Sequence, residues 1–333
     1  MRIVHVLTEA RGGGYAHAHY LATAARERGD TTILLAPATP RLLASELGRA
    51  DLVHAHGVRA ALECLPFHPH PIVVTTHGLH AVRRARGGLN RRAAKRVSWL
   101  ATRRADAVIC VSSDERSAIC ELSSSLAHRC RLIPNGVEPV AVPTVAERDD
   151  ARRRLGLAPD LPVILFLGGL REQKDPLLAL AAVELAARRV PDLRLLMAGD
   201  GPLEAAVRAA AGPEVSLLGW RDDVSDLLLA CDVALNTSRW EGLSLSLLEG
   251  LWRARPIIAT EAPGNREAVG DAGIVVGAHA SRLAGAIERF FTEPGLRGRL
   301  AARARSRAET LFDVHAMTRT TLELYDELAA RAR

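Results

Sequence analysis

The sequence predicts an α/β protein with two doubly wound domains. Short β-branched runs alternate with longer amphipathic stretches in both halves of the chain, which is typical of parallel sheets covered by helices. Residues 135–144 lack periodicity and separate the two alternations, as a linker would. The 333 residues also exceed the roughly 250–300 at which one hydrophobic core stops growing. We therefore expect one domain at residues 1–150 and another at 151–312.

The first half contains several candidate strands, each a short apolar run next to turn residues. Amphipathic stretches lie between them, including the predicted helices 16–28 and 91–104. This order of strand, helix and strand predicts a parallel sheet. The predicted strands are 2–7, 32–35, 52–54, 72–75, 107–111 and 131–133.

The second half repeats the pattern from the wholly apolar run 162–167, which is typical of a strand covered on both faces. Asp175 and Pro176 predict the N-cap and first residue of a helix that ends near residue 189. From residue 281 onward the pattern is almost wholly helical. Two Rossmann-like halves of this kind bind ligands at the carboxyl ends of their strands, so we expect a cleft between facing sheets. The other predicted strands are 193–198, 215–218, 233–236, 256–259 and 274–276.

The amino-acid composition counts against a nucleic-acid-binding protein and against a membrane-spanning one. Lys plus Arg number 44 against 38 Asp plus Glu, a net charge of +6, yet aromatic residues make up only 4% of the chain. The charge is accompanied by no zinc-finger spacing, base-stacking platform or basic region with heptads, so we expect no nucleic-acid partner. No apolar stretch reaches the ~18–20 residues of a membrane span. Five cysteines without a CxxC pair favour free thiols in a reducing cytoplasm.

Three glycines, Gly12 to Gly14, follow the first predicted strand and open a helix. Glycines there let backbone amides approach a phosphate or sugar, and a helix N-terminus favours negative charge. A tight turn without a ligand would need the same residues. The run is not GxGxxG, and the second strand ends in Leu34, Leu35 and Ala36 without an acidic residue, which counts against a dinucleotide.

Three histidines end two predicted strands: His54 and His56 in LVHAHG, and His77 in VVTTHG. A histidine at the carboxyl end of a strand can face a ligand cleft, bind hydroxyls and move a proton. The same residues could be structural or hold a metal. We expect no metal, because the spacing is not that of a helical two-histidine motif and no carboxylate or cysteine accompanies it.

A rare lysine follows the apolar strand 162–167. Only Lys95 and Lys174 are lysines, and Lys174 ends the segment GGLREQK, which contains Gly169 and Arg171. A compact ammonium near a helix N-terminus is a good partner for a diphosphate. The alternative is an exposed charged turn.

Two glutamates, Glu241 and Glu249, are separated by seven residues. Gly242, Leu243 and Ser244 would form a loop that leads into a helix, with Glu241 before the loop and Glu249 within the helix. Such a pair can bind sugar hydroxyls bidentately or act as an acid and a base. Solvated helix carboxylates would show the same spacing.

The sequence resembles the retaining family-4 glycosyltransferases of the GT-B fold, through GGGYAH, LVHAHG, TTHG, LIPNGVE, FLGGLREQKDP, MAGDGP, LLGWRDDV and EGLSLSLLE with its trailing PGNREAVG. The resemblance runs from about residue 1 to 330, and the Glu-x7-Glu element is its most specific part. It implies two facing Rossmann-like domains with a deep cleft. Residues 1–150, joined by a C-terminal helix at about 313–333, would bind the acceptor, and residues 151–312 the donor. Bacterial members of this kind make natural products such as antibiotics, or cell-envelope glycans.

The resemblance also implies a role for each matching residue. His77 and Glu241 match the catalytic positions, and Glu241 would hold the donor sugar with Gly242 and Leu243. Glu249 matches the glutamate that binds the ribose. The remaining implied contacts are the diphosphate-binding residues Gly12, Gly13, Arg171, Lys174, Leu243 and Ser244, and the base-binding loop with Gly199, Trp220 and Arg221.

One position departs from the family pattern. Family members commonly have an arginine immediately before the Leu of the GGL segment, where this chain has Gly169. Arg171, two residues later, is the candidate substitute in clamping the leaving diphosphate. The family needs no metal or other cofactor for this step, and the chain has no Asp-x-Asp metal motif.

The implied reaction is retaining, metal-independent transfer of a sugar from a nucleoside diphosphate, with UDP favoured, to a hydroxyl of a small molecule, oligosaccharide or glycolipid. The segment from Arg83 to Arg104 holds eight arginines and Lys95 but no acidic residue. It could recognise the acceptor, contact a membrane peripherally or be a plain basic face. We expect a cytoplasmic monomer or dimer.

Two other functions stay open from the residues alone. A NAD-dependent oxidoreductase would use the glycines to bind NAD, but it needs an acidic ribose-binding residue after the second strand and a catalytic acid constellation, and the sequence shows neither. A non-catalytic nucleotide-sugar-binding protein would tolerate Gly169. Transfer and hydrolysis assays on several nucleotide sugars separate these alternatives.

Overall fold

The computed structural model describes residues 1–79, 82 and 87–332. The chain divides into two compact units, the first comprising Met1–Gly136 with the C-terminal segment from Val314, and the second Val137–Asp313. Each unit contains one parallel sheet with helices packed on it, so the predicted α/β fold class with two domains is confirmed.

The first unit has a six-stranded parallel sheet. Ile3 packs into one of its cores and the neighbouring Val4 into another, because successive side chains of a strand point to opposite faces. The strands are β1 Arg2–Val6, β2 Thr31–Leu35, β3 Leu52–His56, β4 Ile72–Thr75, β5 Ala107–Cys110 and β6 Cys130–Leu132, in the order β2-β1-β3-β4-β5-β6. The helices are α1 Gly13–Glu27, α2 Pro40–Leu47, α3 Val58–Cys64, α4 Gly88–Thr102 and α5 Ser113–Leu122, together with the C-terminal helix Val314–Ala332.

The second unit also has a six-stranded parallel sheet. Its central strands are buried because helices pack against them. The strands are β7 Val163–Leu167, β8 Arg194–Ala198, β9 Val215–Gly219, β10 Val233–Asn236, β11 Ile257–Thr260 and β12 Gly273–Val276, in the order β12-β11-β10-β7-β8-β9. The helices are α6 Val145–Arg154, α7 Pro176–Ala187, α8 Glu204–Ala210, α9 Val224–Ala230, α10 Leu245–Trp252, α11 Asn265–Val269, α12 Ala280–Thr292 and α13 Leu296–Leu311; the C-terminal helix is α14.

Every predicted strand is present, and all strand ends but one lie within a single residue of the prediction. The largest difference is at β3, which continues to His56 because His56 pairs with Thr75 of β4. His54 therefore lies inside the strand rather than at its end. Among the described helices, none combines the length and the apolar character that a membrane span requires.

Helix α6 explains where the second unit begins. Thr144 and Glu147 form a capping box at its start, and Arg152 ties the helix to the second sheet by an ion pair with Asp232 at 3.1 Å. The unit thus begins before α6, at Val137, whereas the sequence prediction ended the first domain at residue 150. The reason is that α6 packs against α9 of the second unit, and the linker-like sequence before α6 does not reveal this contact.

We expect Arg152→Met to lower the free energy of unfolding of the second unit by about 3–5 kcal/mol. Arg152 is 1% exposed and donates to four backbone carbonyls as well as to Asp232. Its loss leaves these buried acceptors without their donor. Urea unfolding measures the effect. Arg153→Met, on the exposed side of the same helix, is the control and should change stability by about 0.5 kcal/mol or less; equal losses in the two variants would contradict the account.

Candidate active site

Lys174 and Glu241 form an ion pair beyond the carboxyl end of the second sheet. The Nζ of Lys174 lies 2.5 Å from Oε1 of Glu241 and 3.5 Å from Oγ of Ser244. The pair forms because the loops that carry it follow the neighbouring parallel strands β7 and β10. The side chains are 16% and 6% exposed, so the pair is largely removed from water. Three of the predicted donor-site residues are therefore in contact.

The carboxylate of Glu241 is oriented by further hydrogen bonds. Its Oε1 accepts from Oγ of Ser238 at 2.6 Å, and its Oε2 accepts from Nε2 of Gln173 at 3.3 Å. Its backbone N–H donates to the carbonyl of Pro263 at 3.1 Å. A carboxylate held in this way can meet sugar hydroxyls without reorganisation. Sequence reasoning missed Ser238 and Gln173, because only the folded loops bring them to Glu241.

The loop of Gly242, Leu243 and Ser244 leads into helix α10. Ser244 occupies the N-cap position but makes no side-chain capping bond. Its Oγ instead lies 3.0 Å from Oγ of Ser246 and faces Lys174. The side chain of Ser244 therefore does not accept hydrogen bonds from the N–H groups of the first helical turn. These N–H groups, at the positive end of the helix dipole, could bind an anion. Leu243 is buried, which anchors the loop.

Two glycines let the loops of this site pack backbone to backbone. A Cβ on Gly264 would lie 2.1 Å from the carbonyl oxygen of Gly242, and one on Gly199 would lie 2.0 Å from that of Gly168. Their φ angles are +83° and +142°, which side-chain-bearing residues rarely adopt. The predicted base-binding residue Gly199 thus has a structural reason to be glycine, and it fixes the loop after β8 against the loop after β7.

Glu249 lies within helix α10, in its second turn. Burial raises the pKa of its carboxyl group, and the nearby Arg253 only partly opposes this. A half-buried carboxyl group with a raised pKa is typical of a functional site, since its desolvation is costly unless a ligand compensates it. The position is consistent with the predicted binding of ribose hydroxyls.

The Arg171 guanidinium occupies the space beside Gly169. A Cβ on Gly169 would lie 2.8 Å from Nε and 3.2 Å from one terminal nitrogen of Arg171. Arg171, the candidate substitute for the cation that the family pattern places at position 169, thus directs its guanidinium back over Gly169. A side chain at 169 and the present position of Arg171 exclude each other.

The predicted base-binding loop after β9 contains the indole ring of Trp220 and the guanidinium of Arg221, which is paired with an aspartate. Trp220 is 52% exposed, and its Nε1 donates to Oδ1 of Asp222 at 2.9 Å. Arg221 donates through Nε to Asp223 at 2.6 Å. The indole face is thus oriented by its N–H bond, as a stacking surface for a base would be.

Asp175 occupies the predicted N-cap position, but the prediction that its side chain caps the helix is wrong. Asp175 precedes Pro176 at the start of α7, but it has φ +46° and makes no capping bond. Its carboxylate instead accepts from Nε of Arg239 at 2.8 Å. Arg239 in turn donates its backbone N–H to the carbonyl of Gln173 at 2.8 Å. Arg239 thus joins the loop that carries Lys174 to the loop that carries Glu241. The carboxylate of Asp175 therefore serves to bind Arg239 and not to cap the helix.

In the first unit, the glycine run opens helix α1 as predicted. Gly12 is the N-cap with φ +90°, and Gly13 begins the helix. Both are exposed, and the cap provides no side-chain bond to the first turn. The arrangement suits a phosphate at the helix N-terminus.

For His54, the structure favours the structural role over a position that faces a ligand. His54 is fully buried, with Nδ1 2.5 Å from Oη of Tyr325 and Nε2 2.7 Å from Oγ1 of Thr75. Burial lowers the pKa of His54 well below its ordinary value. It therefore serves as a neutral structural residue that joins β3 to β4 and α14. The sequence could not show this, because Tyr325 comes from the far end of the chain.

His77 is half-buried on a turn after β4 and has φ +49°. Its Nε2 lies 3.2 Å from Nδ1 of His56. The following residue, Gly78, donates its N–H to the buried carboxylate of Glu115, which also accepts from the N–H of Val111 at 2.9 Å. Glu115 thus fixes the turn that carries His77. Sequence reasoning missed it, although Ser112 three residues earlier is a helix-start signal that could have drawn attention to it.

Comparison with known proteins identifies the family. Residues 4–141 match the model described as "Glycosyltransferase Family 4", and residues 161–293 match that described as "Glycosyl transferases group 1". The two models together match more than half of the chain. The chain belongs to the family 4 glycosyltransferases. The match covers both units, so the NAD-dependent oxidoreductase is set aside.

Relatives of this glycosyltransferase act on several kinds of substrate. Glycogen synthase of Mycobacterium tuberculosis is 28% identical over 299 residues, which cover 85% of this chain and 70% of that protein. Alpha-maltose-1-phosphate synthase of Mycolicibacterium smegmatis is 26% identical over 98% of this chain and 91% of its own length. At this distance the relatives agree on glycosyl transfer and differ in substrate.

A solved structure shows the same fold. The Anabaena protein Alr3699/HepE in complex with UDP-glucose has a TM-score of 0.82 and 19% sequence identity, covering 98% of this glycosyltransferase and 100% of that chain. The likeness confirms the predicted GT-B fold. The residue assignments made from the sequence, including Glu241, Glu249 and His77, stay predictions.

Proposed function

We propose that this glycosyltransferase moves a sugar, with retention of anomeric configuration, from a UDP-sugar to a hydroxyl of a small-molecule, oligosaccharide or glycolipid acceptor. The observation that carries the proposal is the cluster of Lys174, Glu241 and Ser244 beside the N-terminus of α10. It combines a cation, a helix N-terminus and a preoriented carboxylate, which suit a diphosphate joined to a sugar.

The departing diphosphate is the centre of the proposed chemistry. Two of the three N–H donors of Lys174 are directed to Glu241 and Ser244, and the third meets a phosphate oxygen. Arg171 and the first-turn amides of α10 add positive charge where the leaving group gains negative charge. No metal ion is required in this proposal, because protein donors supply the stabilisation.

Two carboxylates hold the other parts of the donor. Glu241 accepts hydrogen bonds from sugar hydroxyls, and Glu249 accepts them from the ribose. The raised pKa of Glu249 from burial supports this role, since two hydroxyl donors would compensate its lost hydration. Trp220 offers a stacking face to the base.

The acceptor hydroxyl attacks from the face that the diphosphate leaves. Its proton passes to the departing phosphate oxygen, so atoms and charge balance without a side-chain base. His77 binds hydroxyls of the donor sugar from the turn that Glu115 fixes. The choice of UDP rests on the Anabaena neighbour, whose structure holds UDP-glucose.

The proposal is tested by thermal-shift binding of UDP, GDP, ADP and dTDP, followed by transfer assays with the sugars of the nucleotide that binds. We expect UDP to raise the melting temperature most and a UDP-sugar to support transfer. Stabilisation by another nucleotide alone would overturn the choice of base. Binding without transfer or hydrolysis, over a broad set of acceptors, would favour the non-catalytic alternative.

We expect Arg171→Ala to lower kcat/KM for the donor by about tenfold to a hundredfold, the value of one charge-assisted hydrogen bond. The double variant Gly169→Arg/Arg171→Ala should recover much of this loss, because it returns a cation to the position that Arg171 now fills. Steady-state kinetics measure both. Arg188→Ala, an exposed arginine in the same unit, is the control. A double variant no better than Arg171→Ala would rule out the substitution of one arginine by the other.

Peripheral membrane contact through the basic segment is a further proposal. Arg83, Arg84 and Arg86 lie outside the described residues, and α4 presents Leu89, 82% exposed, and Val97, 40% exposed, beside its basic residues. We expect flotation with anionic liposomes at low salt and release at high salt, because screening weakens surface electrostatics. Absence of binding at low salt would exclude membrane contact. The basic segment would then either recognise the acceptor or be a solvent-exposed basic surface.

A further inference from the structure

Five histidine rings gather in the first unit, on β1, α1, β3 and the turn after β4. Three of them form a triangle: the ring centroids of His17 and His77 are 4.9 Å apart, those of His56 and His77 5.5 Å, and those of His17 and His56 5.6 Å. The other two rings, those of His5 and His54, lie on the inner side of His56.

The triangle has the spacing of a metal site. Each of its three histidines brings one ring nitrogen within 4.8 Å of the others, and Nδ1 of His56 is 3.2 Å from Nε2 of His77. In a tetrahedral site with metal–nitrogen bonds of about 2.0–2.1 Å, two ligand nitrogens are about 3.3 Å apart. The pair of His56 and His77 therefore already has the separation of two ligands.

Within the described part of the chain, the buried ring of His17 lacks the hydrogen bonds that a buried imidazole normally makes. It is 1% exposed, and neither of its ring nitrogens makes a hydrogen bond of good geometry to a described residue. The nearby Asn135 side chain only partly offsets the loss of hydration. Leaving such a ring buried without a partner is costly, and a metal ion bound to one nitrogen would remove part of that cost.

The surroundings favour this triangle over the inner set of His5, His54 and His56. Both nitrogens of His54 are already used by Tyr325 and Thr75. By contrast, Nε2 of His56 lies 3.0 Å from Nδ1 of His5, which is the outer hydrogen bond that a metal-binding histidine usually makes.

We propose that His17, His56 and His77 form a site for a divalent transition-metal ion such as Zn²⁺ or Co²⁺, with three imidazole ligands and a water molecule. The half-buried side of His77 gives the ion its path of entry. Because the proposed function uses His77 to bind the donor sugar, the ion inhibits transfer. That consequence, unlike binding itself, rests on the proposed function.

Binding is tested with EDTA-treated protein, Zn²⁺ calorimetry and the visible spectrum of added Co²⁺. We expect one ion per chain and an intense tetrahedral Co²⁺ spectrum. His17→Gln and His17→Ala, checked for native folding by circular dichroism, should weaken binding about 100-fold or more. His19→Ala removes an exposed histidine of the same helix and should bind as wild type does. If both His17 variants fail to fold, the wild-type Co²⁺ spectrum still decides.

Inhibition is tested separately by transfer assays with added Zn²⁺. Wild type and His19→Ala should be inhibited and recover with EDTA, whereas His17→Gln should turn over near the wild-type rate and resist Zn²⁺. Octahedral Co²⁺ spectra, or equal Zn²⁺ affinity in wild type and His17→Gln, would overturn the site. A chain that binds the ion but transfers no sugar would keep the site and contradict the proposed function instead.

Discussion

Lys174→Ala is expected to lower kcat/KM for the nucleotide sugar by about 10²–10³-fold, or about 2.7–4 kcal/mol of transition-state stabilisation. The reason is that Nζ of Lys174, 2.5 Å from Glu241 and beside the α10 N-terminus, is the proposed cation for the leaving diphosphate. UDP binding should weaken as well, because the product carries the same phosphates.

Steady-state kinetics and calorimetric titration with UDP measure these two effects. Lys95→Ala removes the other lysine of the chain, which pairs with Glu121 in the first unit, and should leave UDP binding unchanged. If Lys174→Ala bound UDP and turned over as wild type does, the donor site would have to lie elsewhere.

Glu241→Gln is expected to lower kcat by about 10²–10⁴-fold, since two hydrogen bonds that sugar hydroxyls donate to a carboxylate are worth about 1.5–3 kcal/mol each. Its effect on UDP binding should be small or even favourable. The substitution removes the charge that Lys174 now faces at 2.5 Å, so the ammonium becomes more available to phosphate. The two variants are therefore expected to have different defects. Lys174→Ala loses affinity for the nucleotide, whereas Glu241→Gln loses turnover of the nucleotide sugar.

The control for Glu241→Gln is Glu172→Gln, which changes a carboxylate of the Lys174 loop that pairs with Arg239 at 3.5 Å. It should stay within about threefold of wild type, as expected for a surface ion pair of about 1 kcal/mol or less. A large loss of UDP affinity in Glu241→Gln would show that the carboxylate holds the nucleotide rather than the sugar.

The fold was largely predictable because it depends on local patterns. The wholly apolar run of β7 and the alternation of strands and helices identify parallel sheets before any contact is known. Strand ends were less certain, as β3 shows: the sequence does not reveal that His56 pairs with Thr75 and so extends the strand. The predicted boundary at residue 150 divided helix α6 between the two domains, because the attachment of the whole helix to the second unit, through contacts such as that of Arg152 with Asp232, is tertiary.

The donor site was predictable where residue type alone is informative. Lysine is rare in this chain, and Lys174 follows a buried strand where a diphosphate would lie. Ser238 and Gln173, which orient Glu241, are common polar residues whose role depends on how two loops meet. The same holds for Arg171, because the sequence does not show that its guanidinium lies beside Gly169.

Histidines were the least predictable group. One pattern, LVHAHG, supplies both a structural residue, His54, and a neighbour of the proposed catalytic His77, namely His56. Both are buried, so only their partners distinguish them, and these partners come from β1, α1 and the distant Tyr325. No sequence pattern groups His17 with them, since a histidine inside a helix is most often an ordinary packing residue.

The most direct test of the central claim is the anomeric configuration of the transferred sugar, read by proton NMR from the product formed with a UDP-α-sugar. The account predicts an α-linked product in wild type, formed equally well in the presence of EDTA, and a rate lowered by about 10²–10³-fold in Lys174→Ala. A β-linked product would contradict retention, and an absence of transfer with every nucleotide sugar and acceptor tested would contradict the proposed function.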